Sequence, residues 1–268
     1  MIRPLITSVQ NQRIKDAVKM RDRRQRQRAG KCLVDGTREI GRAMEAGIEL
    51  TEVFFCEELC QNREATHLLD AIRNTQLALQ PCTLDVFAKL AFGDRAEGIV
   101  AIAETPRRTL VELTLQRDAL VAVLVGIEKP GNVGAMLRSA DGAGVDAVIV
   151  ADGATDLYNP NCIRASLGTV FGLPVCEARS VEVLAWLRSR ESRMLAARVD
   201  GAIAYTQADY RGPVAIVLGS EASGLSDEWQ AADIQAIQLP MKGIADSLNV
   251  SATAAVLFYE ALRQRSAG

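Results

Sequence analysis

"ALVAVLVGIEKPGNVGAMLRSADGAGVDAVIVA", residues 119–151, contains an apolar run, a Pro-Gly loop, a small-residue helical stretch over about 132–142 and a second apolar run. Continuous apolar runs of strand length, rather than alternating ones, describe strands buried on both faces. Two such strands joined through a helix are parallel, since antiparallel neighbours need only a short turn. The pattern continues through "LPVCEA" (173–178), the helical "VEVLAWLRSR" (181–190), "RMLAARV" (193–199), "VAIVLGS" (214–220), "IQAIQLP" (234–240) and a last helix over about 247–264. The expected fold of this part is α/β with a parallel sheet covered on both faces, where ligands collect in loops at the carboxyl ends of strands.

Upstream, residues 11–28 read as a basic helix ending near Gly30. Strand "CLVDG", helix "TREIGRAMEAG", strand "LTEVFFC", helix "NREATHLLDAIRN" and strands "LALQPC" and "GIVAIAE" follow, a small α/β unit. The stretch "ETPRRTLVELTLQ" breaks the regularity, which places two domains at 1–108 and 109–268.

Composition bounds the function. The 268 residues are 49% hydrophobic and 24% charged with a net charge of −2, values typical of a water-soluble globular chain. No run is apolar enough to span a bilayer and the first residues lack a signal-peptide core, so a cytoplasmic protein without membrane partners is expected. The six cysteines are scattered with no CxxC pair, and His67 is the single histidine. A metal site or a histidine-based triad therefore has almost no ligands to draw on, and no metal is expected. Residues 1–42 carry twelve Arg and Lys against four Asp and Glu. That excess describes either a solvated helix face or a surface for nucleic-acid phosphates.

Two glycine patterns mislead. "GAGVDA" (142–147) has dinucleotide-binding spacing, but there a strand must come first and a helix after, and here the order is reversed. These glycines read as a helix C-cap and turn. "GSEASGLS" (219–226) follows a strand with P-loop-like glycines, yet Leu225 stands where a phosphate-binding lysine is needed. What remains is a tight loop presenting Glu221.

Three loops each follow a strand: "EKPGNVGAMLRSA", "GSEASGL" and "LPMKGIADSLNVS". Asn132 can cap a helix, as can Ser247 and Asn249. Arg138, among Met136, Leu137 and Ala140, either extends its charge to solvent or faces a substrate phosphate. The ordered trio N-x-G-x-x-x-R, G-x-E-x-x-G-L and P-M-x-G-x-x-x-S-L-N-V-S resembles the three signature motifs of the SpoU (TrmH-like) branch of SPOUT RNA 2'-O-ribose methyltransferases. "YNPNCIRASLGTVFGLPV" is similar to a further family segment, with Asn161 where many relatives have lysine. The likeness spans roughly residues 120–264 and leans toward the rRNA-acting group that includes the avilamycin-resistance methyltransferase.

The resemblance implies a C-terminal SPOUT domain with a deep trefoil knot and S-adenosylmethionine as cofactor. Adenosine would be held by Leu218, Gly219, Leu239, Met241 and Leu248, while Arg138, Asn132, Glu221, Ser247 and Asn249 form the catalytic set. Glu221 would orient Arg138 or another member of the site. The N-terminal part looks like the accessory RNA-binding domain of such enzymes, with Arg23, Arg24, Arg26, Arg28 and Arg164 as RNA contacts. The implied substrate is 23S rRNA, with tRNA or a noncatalytic RNA-binding role as the alternatives. Val250, Ala254, Val256, Leu257 and Tyr259 of the last helix are expected to form either an apolar dimer face or part of the protein's own core, and a two-fold homodimer is expected.

Overall fold

A computed structural model describes residues 2–92, 97–153 and 155–266. Its elements in chain order are α1 (Gln12–Lys19), α2 (Arg23–Ala29), β1 (Lys31–Asp35), α3 (Thr37–Glu45), β2 (Leu50–Phe55), α4 (Arg63–Arg73), β3 (Leu79–Pro81), α5 (Leu84–Leu90) and β4 (Ile99–Glu104). They continue with β5 (Leu120–Val125), α6 (Pro130–Gly142), β6 (Ala147–Ala151), α7 (Pro160–Ala165), α8 (Thr169–Gly172), β7 (Val175–Ala178), α9 (Ser180–Ser189), β8 (Arg193–Ala197), β9 (Ile203–Ala204), β10 (Val214–Leu218), β11 (Ile234–Gln238) and α10 (Val250–Ser266).

The chain forms two compact units, Met1–Pro106 with Asp156–Gly172, and Arg107–Thr155 with Leu173–Gly268. Residues 156–172, assigned to the C-terminal domain by the sequence reading, thus pack in the first unit. Polar contacts explain why: Arg42 Nη1 donates to the Leu167 carbonyl at 2.8 Å and Arg164 Nη1 to the Phe92 carbonyl at 2.5 Å.

In the first unit the sheet order is β1-β4-β2-β3, with β4 antiparallel to both neighbours and β2 parallel to β3. Its core gathers Ile14, Leu33, Phe54, Phe87 and Val100. The expected single basic helix is two helices, because Asp22 accepts from the Gln25 amide and caps a new start. Gly30, at φ 66°, ends the second as the sequence suggests. Helix α5, missed by the sequence reading, is a single seven-residue segment that buries Val86, Phe87 and Leu90.

Arg26 corrects one expected RNA contact. It is 3% exposed, its Nε donates to Asp156 Oδ2 at 2.8 Å, and its Nη1 donates to the carbonyls of Met20 and Arg21. A guanidinium committed to those partners cannot reach a phosphate. Arg164 is likewise engaged with a backbone carbonyl, whereas Arg23, Arg24 and Arg28 are exposed.

The second unit carries the parallel sheet in the order β7-β6-β5-β10-β8-β11-β9. Valine, isoleucine and alanine fill its strands, and β5, β6 and β10 are buried along their whole length. Trp229 seals one side and donates from Nε1 to Ser180 Oγ at 2.9 Å, so its polar atom is satisfied inside the core. Helix α6 ends at Gly142 and Gly144 takes φ 70°, the helix-to-turn geometry expected of "GAGVDA". Helix α10 packs on α6 and buries Val250, Ala254 and Leu257. Those three belong to the unit's own core, which leaves Val256 partly exposed and Tyr259 52% exposed.

Candidate active site

The parallel sheet brings the carboxyl ends of β5, β10 and β11 to the same end, so the three motif loops emerge there together. Strand β8 lies between β10 and β11, and its own end, Ala197 to Asp200, enters the same region.

A cavity of about 780 Å³ opens there. Its lining includes all five residues expected to hold adenosine, Leu218, Gly219, Leu239, Met241 and Leu248, together with Ser247 and Glu221. The β8 end contributes Arg198 and Asp200, joined by two hydrogen bonds of 2.8 and 2.6 Å, a pair that no motif signalled. Backbone geometry makes the wall thin where it must be. An added Cβ on Gly219 would lie 2.5 Å from the carbonyl of Gly224, and Gly224 itself has φ 66°. Only glycine lets the two limbs of this loop close through the Ser220–Gly224 bridge.

Beside the cavity, Glu221 is the common acceptor. Its Oε1 accepts from Asn132 Nδ2 at 3.0 Å and from Asn249 Nδ2 at 2.6 Å, and its Oε2 meets Lys129 Nζ at 2.6 Å. One carboxylate therefore ties the loops after β5 and β10 to the start of α10. Lys129, followed by the amides of Asn132 and Val250, holds the Glu221 carboxyl below the ordinary carboxylate range. Conversely, Glu221 raises the Lys129 ammonium, so both partners stay charged at neutral pH.

Helix starts explain these placements. Pro130 takes the first helical position of α6, with Lys129 at the N-cap, so Asn132 lies in the first turn instead of capping and turns its amide to Glu221. Asn249 is the cap of α10: its Oδ1 accepts from the Ser251 amide at 2.9 Å and its carbonyl accepts from the Thr253 amide. Ser247 reaches the cavity but is not part of the Glu221 hydrogen-bond set.

Arg138 stands apart from that set. Six residues beyond Asn132 it is displaced by about 9 Å along the helix and by about 120° around it. Its side chain is exposed and forms no ion pair or hydrogen bond among the described residues. Glu221 thus orients the two asparagines and not Arg138. Lys129 lies outside the three motifs, an exposed lysine in a loop being unremarkable in sequence until its carboxylate partner is seen.

Residues 119–259 match the SpoU rRNA Methylase family, and residues 11–101 match the MRM3-like substrate binding domain. The chain belongs to the SpoU rRNA methylase family. Among its relatives is the 23S rRNA (uridine(2479)-2'-O)-methyltransferase of Streptomyces viridochromogenes, 32% identical over 256 residues that cover 92% of this chain and 88% of the relative. A crystal structure of an RNA 2'-O ribose methyltransferase is 44% identical with a TM-score of 0.87, covering 97% of this chain and 99% of that one. The SpoU methyltransferase AviRb from S. viridochromogenes in complex with AdoMet is 30% identical with a TM-score of 0.87, over 97% of this chain and 100% of AviRb. In this SpoU chain the signature residues lie in loops at strand ends, where the fold places its cavity.

Proposed function

We propose that the chain is an S-adenosylmethionine-dependent RNA 2'-O-ribose methyltransferase that acts on 23S rRNA. The observation that carries this reading is the convergence of the five expected cofactor residues on one cavity whose wall also presents Glu221 with Asn132 and Asn249. The lining fits the cofactor chemically: apolar side chains suit a flat base, and the volume lies within the usual range of small-molecule sites.

Bound S-adenosylmethionine supplies a methyl group on a sulfonium. Transfer forms the bond from the ribose 2'-oxygen to the methyl carbon, breaks the carbon–sulfur bond and releases the hydroxyl proton. The chain's part is to align acceptor and donor and to favour loss of that proton. Glu221 and the two asparagines hold the loops in register. The planar guanidinium fork of Arg138 suits it to grip an RNA phosphate and to stabilise developing negative charge on the 2'-oxygen. The proton passes to water or to a neighbouring group.

In the first unit Arg23, Arg24 and Arg28 would contact RNA phosphates, and the excess of basic residues in this segment supports that role. A two-fold homodimer would use the surface of α10 left open at Val256 and Tyr259. A monomer mass at micromolar concentration would remove the dimer from the account. No described helix is long and apolar enough to cross a membrane.

Incubation with labelled S-adenosylmethionine and separated 23S rRNA, 16S rRNA and tRNA tests the substrate. Label is expected in 23S rRNA. Label confined to tRNA would replace the substrate, and cofactor binding without transfer to naked RNA or to ribosomal particles would favour a noncatalytic role.

A further inference from the structure

Three side chains from two loops meet on the Glu221 carboxylate, and one of them, Lys129, belongs to no sequence signature. With Lys129 Nζ on Oε2, the other oxygen is left for the amides of Asn132 and Asn249. The Lys129 side chain is 70% exposed and that of Glu221 32%. So open an ion pair contributes little to folding stability. Its effect is directional: a cation on one oxygen fixes the carboxylate's rotation, and that rotation decides whether the second oxygen reaches both asparagines at once. Glu221 also rides on the β10 loop that walls two spaces. One is the large cavity; the other, of about 200 Å³, is lined by Lys129, Asn132, Ser220, Glu221 and Val250 among others. Glu221 itself lines both spaces, so a rotation of its carboxylate alters the wall of each.

We propose that Lys129 is a positioning residue of the methyl-transfer site, holding Glu221 so that Asn132, Asn249 and the cavity wall keep the cofactor-binding arrangement. The inference rests on the reading of the large cavity as the S-adenosylmethionine site. Around the carboxylate, the loop after β5 brings Lys129 and, acting on it, Glu128; the start of α10 brings the Asn249 and Val250 amides, which do not titrate. Without Lys129 the Glu221 carboxyl returns toward its ordinary range. Its proton is then taken up at higher pH, and protonation converts an accepting oxygen into a donor that no longer suits the amides.

The test compares wild type, Lys129→Met and Lys129→Arg in the full chain, by calorimetric titration with S-adenosylmethionine at pH 8 and pH 5, by methyl transfer and by thermal melting. Because the side chain is exposed, both variants are expected to melt within about 2 °C of wild type. Lys129→Met should bind the cofactor about tenfold more weakly at pH 8, the scale of one charge-assisted hydrogen bond, with a larger deficit at pH 5. Lys129→Arg should recover most of the affinity at both pH values. Wild-type binding together with an unaffected Lys129→Met overturns the inference alone, as does equal damage in both variants with a lowered melting point. Wild type that fails to bind the cofactor overturns the reading of the cavity and the inference with it.

Discussion

Asn249 and Glu221 are joined at 2.6 Å through the asparagine's Nδ2, while the Oδ1 of the same amide caps α10 by accepting from Ser251. One side chain thus couples a helix start to the site carboxylate. Asn249→Ala removes both contacts and should destabilise the second unit by about 1 kcal/mol, the usual loss for a cap, and weaken cofactor binding. Asn249→Asp keeps the cap but turns a carboxylate oxygen toward Glu221. It should therefore separate the two effects, preserving the melting point more than Asn249→Ala does while losing cofactor affinity. Thermal melts and calorimetry on both variants check this.

Gly219→Ala should abolish or strongly weaken S-adenosylmethionine binding, because the new Cβ would sit 2.5 Å from the Gly224 carbonyl carbon and oxygen. Relief requires the loop to open at the Ser220–Gly224 bridge, at an overpacking cost of about 1–3 kcal/mol. A calorimetric affinity equal to that of wild type would show that this closure is not needed.

The arginines of the first unit should divide by burial. Arg26→Ala leaves Asp156 without its cation in a site 14% exposed and should destabilise the unit by about 3–5 kcal/mol, measured by denaturant unfolding. Combined replacement of Arg23, Arg24 and Arg28 by alanine should leave melting nearly unchanged and lower RNA affinity, with a shallower dependence on salt concentration. The reverse pattern would contradict the assignment.

Thiol chemistry gives a further test. Burial pushes Cys32 and Cys82 up to about 12, and Cys60 and Cys176 to about 11. Of the six cysteines only Cys60 is partly exposed. Iodoacetamide at pH 8 should label the native protein far more slowly than the denatured protein, in which all six react. Any early native label should map to Cys60.

Much of the second unit was readable because its strands are continuous apolar runs and its site loops begin where those runs end. The same pattern carried the glycine turn at "GAGVDA" and the absence of a P-loop lysine. What the sequence hid depended on distant partners. Arg26 looked like its exposed neighbours until Asp156, 130 residues away, took its charge. Val250, Ala254 and Leu257 mark one face of a helix by their spacing, but spacing does not say whether α6 or another molecule covers that face. The break between α1 and α2 was hidden by a run rich in Arg, Lys and Gln, which favour helix, and of its two aspartates, Asp16 and Asp22, only Asp22 caps a new start. Lys129 carried no signal because its meaning lies wholly in Glu221.

The chemical position of the transferred methyl group tests the central claim most directly. Labelled rRNA from the reaction is hydrolysed with alkali, which cleaves only where a free 2'-hydroxyl is present. The account predicts label in an alkali-resistant dinucleotide, and a rate at least about tenfold lower for Arg138→Lys, with a melting point close to that of wild type. Label released as mononucleotide, with the methyl group on a base, or full turnover by Arg138→Lys, would contradict it.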